Sequence, residues 1–287
     1  MGSSEFGPRV TMPALEPVDL GRTPPQLNTA TEQLHLAVAL YRLGQKDDSV
    51  QVELHFGVPI TRLARLFGPS QPLIHLAAEF VPRGKGARRT VGSWLGTSVP
   101  KESAGSRLAV GREIVVLPVD VYSVRVSVVT VDGRAGSVVS RELNLLDYVR
   151  RAQLSSDMLF FSLADSAFQS PQFVGHGWQR LVPMVEPSIE SGRTCYVLYQ
   201  VYNLGQDSSG QHRLQIEYDF VEESSRKLAF AATPVRFVSG PGASATVVER
   251  LHTMNLRPGS YLIVARVRDL ELDRTVSLTA RLRILPR

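Results

Sequence analysis

The chain of 287 residues is long for one hydrophobic core and suits two, because domains cluster near about 100–150 residues. Its 43% hydrophobic content is typical of a globular protein, and no apolar run approaches the ~20 residues of a membrane-spanning helix, which excludes a helical membrane-embedded protein. The net charge of +5 comes almost wholly from arginine and is spread along the chain, which argues against a nucleic-acid partner.

Residues 1–33 contain five prolines and few apolar side chains. Because proline blocks both helices and β-ladders, this segment is predicted to be an extended arm. Residues 1–6 have neither the basic start nor the apolar stretch of a signal peptide, which by itself favours a cytoplasmic location or a mature end without its leader.

From residue 34 the pattern changes to a period of two. Apolar side chains occupy every second position in six runs, at 34–40, 50–56, 73–81, 113–119, 122–131 and 138–145. Asp132-Gly133 is typical of a tight hairpin turn. Alternation of this kind indicates antiparallel strands with one face on a core and one in water, so residues 34–147 are predicted to form a β-sandwich.

The second half repeats this pattern. Strands are expected at 157–163, 194–202, 213–221, 245–251, 261–269 and 276–284. Residues 148–180 are predicted to be a connector that includes the first strand of the second domain, and residues 181–287 complete that domain. The segment 145–154, which spans the end of the first domain and the start of the connector, is the best candidate for a short helix or an irregular link.

An internal duplication relates the two halves at an offset near 140 residues. Glu-Phe-Val at 79–81 matches Asp-Phe-Val at 219–221, and the apolar run that begins at Tyr122 matches the run that begins at Tyr261. Arg134 and Arg141 have the same spacing as Arg274 and Arg281. Three matches in the same order predict an all-β fold of two tandem immunoglobulin- or fibronectin-III-like antiparallel sandwiches.

Several stretches resemble a known family. They are Leu-Ser-Ser-Asp-Met-Leu-Phe at 154–160, Leu-Val-Pro at 181–183, Tyr-Val-Leu-Tyr-Gln-Val-Tyr-Asn-Leu at 196–204, Leu-Arg-Pro-Gly-Ser-Tyr at 256–261, and residues 49–63. These stretches resemble the β-sandwich region of bacterial GWxTD-domain proteins, over most of residues 38–286. The Gly-Trp-x-Thr-Asp signature is absent, since Trp94 and Trp178 lie in other contexts. The resemblance implies paired sandwiches without an activity, in an exported, periplasmic protein.

The sequence contains no recognisable arrangement of catalytic or metal-binding residues. The six histidines are scattered, and His35, His55 and His75 fall in the polar phase of strands, which predicts that they face solvent. No nucleophile elbow or phosphate-binding loop is present, and the single cysteine, Cys195, lies in a strand pattern typical of a buried residue. We therefore expect no catalytic residue, no metal and no cofactor, and a protein that is not an enzyme.

Two features are candidates for binding a partner. The first is a loop with four cations in seven residues, comprising Arg83, Lys85, Arg88 and Arg89, which suits acidic protein surfaces or lipid headgroups. The second is an aromatic stretch between the two halves with Phe168, Phe173 and Trp178, which either packs between the domains or anchors another protein. Tyr196, Tyr199, Tyr202, Tyr218 and Phe220 are expected in the second core.

The last two predicted strands each carry two arginines on the same face. Arg266 and Arg268 form one pair and Arg281 and Arg283 the other, and both are interpreted as protection of a sheet edge.

These features favour a non-catalytic structural or adaptor subunit that stabilises a larger, membrane-associated bacterial protein assembly. It would lie at the membrane surface, with the periplasmic side favoured by the resemblance and the cytoplasm as the alternative. One specific hypothesis, without a motif behind it, is an accessory subunit of a photosynthetic reaction-centre and light-harvesting complex. The alternative function is a carbohydrate- or cell-envelope-binding module, which would need Trp94 and Trp178 as an exposed platform.

Overall fold

Four β-sheets follow one another in this computed structural model, and we number them 1 to 4 in stacking order. The structure describes residues 15–286, apart from 22, 28–29, 47, 69–71, 97–107, 147, 149–154, 164–173, 177–178 and 232–234. The described chain is mostly strand, which confirms the predicted all-β class.

Sheets 1 and 2 enclose the first core. Sheet 2 has the order β3 (Ala37–Lys46), β4 (Ser49–Pro59) and β7 (Leu108–Pro118). Sheet 1 has the order β1 (Glu16–Pro17), β6 (Arg89–Gly96), β5 (Leu73–Pro82), β8 (Val121–Thr130), β9 (Ala135–Asn144) and β2 (Glu32–Gln33). The inward residues of both sheets, among them Phe56, Phe80 and Val126, form one buried cluster.

Sheets 3 and 4 enclose the second core. Sheet 3 has the order β11 (Val174–His176), β12 (Gln179–Pro183), β10 (Leu159–Leu163), β14 (Thr194–Tyr202) and β18 (Ser244–His252). Sheet 4 has the order β13 (Ser188–Glu190), β20 (Arg274–Leu285), β19 (Gly259–Asp269), β15 (Gln211–Glu222) and β16 (Leu228–Ala231), and β17 (Arg236–Pro241) also pairs with β15. Val197, Phe220 and Ile263 lie in this second cluster.

A short helix, α1 (Ile60–Phe67), connects the two sheets of the first sandwich. Pro59 precedes its first residue, and Gly68 ends it at a φ of 55°, a conformation that glycine adopts without strain. Ile60 and Leu63, three residues apart, are buried on its inner side. In the segment 145–154, Leu146 and Tyr148 are helical.

The two sandwiches also pack on each other, because sheets 2 and 3 meet through their outer faces. Leu43 of sheet 2 clusters with Leu159, Phe161 and Tyr196 of sheet 3, and a second cluster joins Val110 to Val182 and Val185. We call this contact between sheets 2 and 3 the seam.

Strand β4 is therefore buried on both faces. Its residues Val52, Leu54 and Phe56 point into the first core, whereas Glu53 and His55 point into the seam. The prediction that His55 faces solvent was wrong, because none of its surface is exposed. His35 is exposed and His75 is half-buried.

The tyrosines of β14 divide between the two sides of sheet 3. Tyr199, with Tyr218 and Phe220 from sheet 4, lies in the second core as predicted. The prediction was wrong for Tyr196, which lies in the seam, and for Tyr202, whose hydroxyl lies within hydrogen-bond distance of the Leu43 carbonyl oxygen of the first sandwich.

The edge-protection interpretation fails for β19, which lies between β15 and β20 inside sheet 4. Its Arg266 bonds Asp219 at 2.6 Å and its Arg268 bonds Asp273 at 2.6 Å. On β20, Arg281 lies 2.7 Å from Glu223. These side chains form ion pairs on the outer face of the sheet.

The two halves repeat the same strand pairing. Phe80 lies opposite Val124 in the β5–β8 ladder, and Phe220 lies opposite Ile263 in the β15–β19 ladder. The duplication therefore holds in register for these strands, with an offset of 139–140 residues. The arginine match on the last strands is out of register by one residue. Arg141 lies opposite Val124. The residue opposite Ile263 in the second half is Ala280 rather than Arg281.

The described part of the N-terminal arm lies on its own sandwich. Strand β1 pairs with β6 at one edge of sheet 1, and β2 pairs with β9 at the other. Leu15 is fully buried in the first core, and its N–H donates to the Val110 carbonyl of β7 at 2.7 Å. A Cβ at Gly136 of β9 would lie 2.3 Å from Leu27, so this glycine lets the arm approach the sheet.

Candidate functional site

The predicted basic loop forms the exposed turn between β5 and β6. Arg83 forms an ion pair with Glu142, and Arg88 lies 2.8 Å from Glu79. Lys85 and Arg89 form no ion pair with any residue in the described part of the chain. The loop thus offers two unneutralised cations rather than the four that the sequence suggested.

An aspartate next to this turn fixes its shape. The Gly84 N–H donates to Asp120 Oδ2 at 3.1 Å, and a Cβ at Gly84 would lie 2.7 Å from the same oxygen. A side chain at position 84 would force this carboxylate to move. Asp120 also adds a third negative charge beside the four cations, so Lys85 and Arg89 lie outside ion pairs while the turn as a whole carries a small positive charge.

The aromatic candidates Phe168, Phe173 and Trp178 lie outside the described residues. Trp94, the other tryptophan of the proposed platform, is only 7% exposed and has the His75 ring against it at 5.1 Å between ring centroids. A flat sugar-binding platform needs an accessible ring face, which Trp94 does not offer.

The seam brings together the most elaborate polar arrangement in the described chain. Arg42 Nε and Nη2 each donate to one oxygen of Asp157 at 2.9 Å. The backbone N–H of Arg42 also donates to Asp157 Oδ2 at 2.8 Å, and the Asp157 N–H donates to the Arg42 carbonyl at 2.9 Å. Bidentate pairs of this geometry are among the stronger ionic contacts. Asp157 lies just before β10, so this pair joins the first sandwich to the second.

Two tyrosine hydroxyls reinforce this junction at one backbone carbonyl. The Tyr148 hydroxyl donates to the Leu43 carbonyl oxygen, and the Tyr202 hydroxyl lies within hydrogen-bond distance of the same oxygen, at 3.0 Å, and of Gln200 Oε1, at 2.6 Å. The Arg42 guanidinium lies 5.2 Å from the centre of the Tyr148 ring, within the range of a cation–π contact. Burial raises the pKa of Tyr202 to about 12, so its hydroxyl stays a donor at neutral pH.

A cavity of about 380 Å³ opens beside this junction. It is lined by residues of β3, the connector and β20: Leu40, Tyr41, Arg42, Tyr148, Ser155, Ser156, Asp157, Met158, Ser277, Leu278, Thr279 and Ala280. Because Arg42 and Asp157 neutralise each other, the lining carries hydroxyl groups without a free charge. Such a lining suits water or a neutral polar group rather than an ion.

A buried ionisable cluster lies deeper in the seam. His55 Nε2 is 2.6 Å from Glu53 Oε1, and Arg112 Nε is 3.6 Å from the same oxygen. Burial lowers the pKa of His55, and the bond to Glu53 opposes that shift without reversing it. His55 is therefore a neutral imidazole at pH 7.

The described residues offer no obvious reactive centre. No group of three His, Cys, Asp or Glu side chains among them is placed to hold a metal ion. Cys195 is buried in the second core, and burial raises the pKa of its thiol to about 12, so it is not a thiolate nucleophile at neutral pH. No helix in the described part is long and apolar enough to cross a membrane.

The seam was not predicted from the sequence, although two of its strands have a pattern that indicates burial on both faces. Residues 159–161 and 195–199 are apolar in both strand phases, a pattern typical of strands covered on both faces. Strand β4 gave no such signal, because Gln51, Glu53 and His55 occupy its outward phase. The polar side of this strand looked like a solvated face.

No protein-family model matches the chain, and a search of curated proteins finds no match. The resemblance to GWxTD-domain proteins therefore stays a prediction.

Proposed function

We propose that this chain is a non-catalytic adaptor subunit, built of two tandem immunoglobulin- or fibronectin-III-like sandwiches, that binds a larger membrane-associated bacterial assembly. In the first half, the three neighbouring strands β3-β4-β7 face a sheet that contains the neighbouring strands β5-β8-β9. In the second half, β10-β14-β18 face a sheet that contains β15-β19-β20. This split of strands matches the two sheets of such domains and supports the proposal.

A tyrosine contact common to both halves also supports this assignment. The Tyr122 hydroxyl donates to the Pro118 carbonyl at 2.8 Å, and the Tyr261 hydroxyl donates to the Arg257 carbonyl at 2.9 Å, each four residues upstream. A tyrosine that starts the penultimate strand and bonds back to the preceding turn is a recurrent feature of immunoglobulin-like sandwiches.

The observation that carries the adaptor role is the open edge of sheet 4. Strands β16 and β17 pair one after the other with the side of β15 that faces away from β19, and no described strand pairs with their outer sides. Leu228 and Phe237 on these strands are 60% and 71% exposed. Sheet 1 instead ends in two-residue strands at both edges, a common protection against unwanted pairing.

An edge of this kind suits strand addition by a partner protein. Main-chain groups of an added strand would pair with β17, while Phe237 and Leu228 would give apolar contacts. Lys85 and Arg89, on the other sandwich, would contribute an electrostatic contact to acidic side chains or anionic lipid headgroups. The partner, the assembly and the periplasmic side of the membrane are parts of this proposal, and the photosynthetic complex is its most specific form.

The proposal is tested by affinity purification of the tagged full-length chain from detergent-solubilised membranes of the source cells. We expect a reproducible set of co-purifying proteins, reduced at least tenfold by Phe237→Glu, because a buried charge at the edge prevents docking. Met254→Glu is the matched control, since Met254 is also 71% exposed but lies in a turn. A Lys85→Glu/Arg89→Glu variant measures the basic loop separately.

Two outcomes would overturn the proposal. The first is a wild-type chain that always purifies alone under mild conditions. The second is equal recovery of partners by the wild type and the Phe237→Glu variant, which would show that this edge does not bind them.

A further inference from the structure

His55 lies in the seam, where a residue of each sandwich contacts its ring. Tyr41 of β3 packs on one side at 4.9 Å between ring centroids, and Phe161 of β10 meets the ring edge-on at 5.9 Å. Phe161 belongs to the second sandwich, and no part of His55 is exposed. Water therefore reaches this imidazole only if sheets 2 and 3 separate.

The hydrogen bonds around His55 favour the neutral ring over the protonated one. Nε2 donates to the Glu53 carboxylate at 2.6 Å, which leaves Nδ1 without a proton. Nδ1 is buried and has no hydrogen-bond partner in the described part of the chain. A proton added at Nδ1 would be a buried N–H with no acceptor, which costs free energy as long as the seam stays closed.

The charges in the cluster lead to the same conclusion. The groups that face His55 are Glu53 on its own strand, Arg112 on β7, Tyr41 on β3 and the uncharged Phe161 on β10. Arg112 already balances the single carboxylate. Tyr41 stays neutral, because burial raises the pKa of its hydroxyl far above neutrality. Protonation of His55 would therefore leave one excess positive charge in a site that is closed to bulk solvent.

We propose that the seam is a proton-sensitive latch, in which protonation of His55 separates sheets 2 and 3 while both cores stay folded. The even-numbered residues of β4 pack in the first core, whereas His55 lies on the opposite face of the strand. Opening the seam therefore does not require the first core to unfold. Opening would expose Leu159, Phe161 and Leu181, an apolar surface that the closed molecule hides. The inference is independent of the adaptor proposal.

The direction of the pH effect follows from linkage. In the open state His55 is hydrated and has an ordinary pKa near 6.5, whereas in the closed seam its pKa is lowered. The closed state is fully favoured above about pH 6.5 and loses that advantage as the pH falls towards the lowered value. Within that window the ratio of open to closed molecules rises by up to about tenfold per pH unit.

Hydrogen exchange on the full-length chain between pH 7.5 and 5, corrected for the intrinsic pH dependence, tests the latch. We expect faster exchange at lower pH in peptides from β10 and β12, while peptides from β8 and β19 stay protected. His55→Gln keeps a donor to Glu53 but does not titrate, so its seam should exchange equally at both pH values. His75→Gln, on the far sheet, is the matched control and should respond like the wild type.

A second measurement needs no substitution. In a histidine-labelled sample followed by NMR, His55 should stay unprotonated until the seam opens, with an apparent pKa below 6.5. A His55 that titrates near 6.5 while the seam stays protected would overturn the latch. So would a His55→Gln variant whose seam opens on acidification as readily as that of the wild type.

Discussion

The two sandwiches have related strand pairings, but different contacts join the two sheets along one side of each sandwich. In the first, the gap between β6 and β7 is filled by Leu15, which is buried in the core and bonds β7, while the next residues pair with β6. In the second, Arg236 of β17 reaches Glu249 of β18 at 2.5 Å. An apolar residue from the N-terminal arm joins the two sheets of the first sandwich, and an ion pair joins the two sheets of the second.

This difference has consequences for stability. The first sandwich depends on a segment that precedes its own strands, so a change in the arm acts on the core. The second needs no such segment, but its Glu249 side chain is only 7% exposed and depends on a cation that is half in solvent. Electrostatic screening by salt does not weaken the burial of apolar surface, whereas it weakens the ion pair.

The largest effect is expected for Leu15→Ala. Removal of a fully buried leucine side chain should lower the free energy of unfolding of the first sandwich by about 3 kcal/mol, through lost burial and the cavity left behind. Urea unfolding followed by tryptophan fluorescence measures this in a Trp178→Phe background, in which Trp94 is the remaining tryptophan. Leu272→Ala, at an exposed position of the second sandwich, is the control and should change the stability by less than about 0.5 kcal/mol. An unchanged midpoint for Leu15→Ala would show that the arm does not close the core.

A smaller loss is expected for Arg236→Ala. It leaves the Glu249 carboxylate buried without its cation and should destabilise the second sandwich by about 2 kcal/mol, less than for a fully buried pair because Arg236 is 53% exposed. Hydrogen exchange in β14 and β18 measures the change. Arg268→Ala removes an exposed pair with Asp273 and should cost less than about 0.5 kcal/mol. Equal effects of the two variants would contradict a closing role for Arg236.

The smallest stability changes are expected at the tyrosine contact that the two sandwiches have in common. Tyr122→Phe and Tyr261→Phe each remove one hydroxyl bond to a carbonyl four residues upstream, and each should cost about 1 kcal/mol in its own sandwich. The two losses should agree within error when measured by hydrogen exchange in β8 and β19. A clear difference between them would argue that the two turns are not equivalent copies.

Much of the architecture was accessible from the sequence because its signals are local. Alternation at residues such as Phe80 and Phe220 places strands and core faces, and the duplication pairs those strands in register. The candidate site was predicted only in part. The basic loop lies at an exposed turn, but Glu79 and Glu142, distant in sequence from some of its cations, neutralise half of its charge.

The sequence by itself determined that apolar side chains at every second position must form sheets around two cores, since burial of one strand face follows from periodicity alone. Only the tertiary structure decided what covers the other face. Glu53 and His55 have the polarity of a solvated strand surface, yet they are buried because the second sandwich lies over them through Phe161. Packing between sheets depends on contacts more than 100 residues apart, such as that of Arg42 with Asp157. Strand periodicity can indicate that a second face is covered, as at residues 159–161, but it does not identify what covers it.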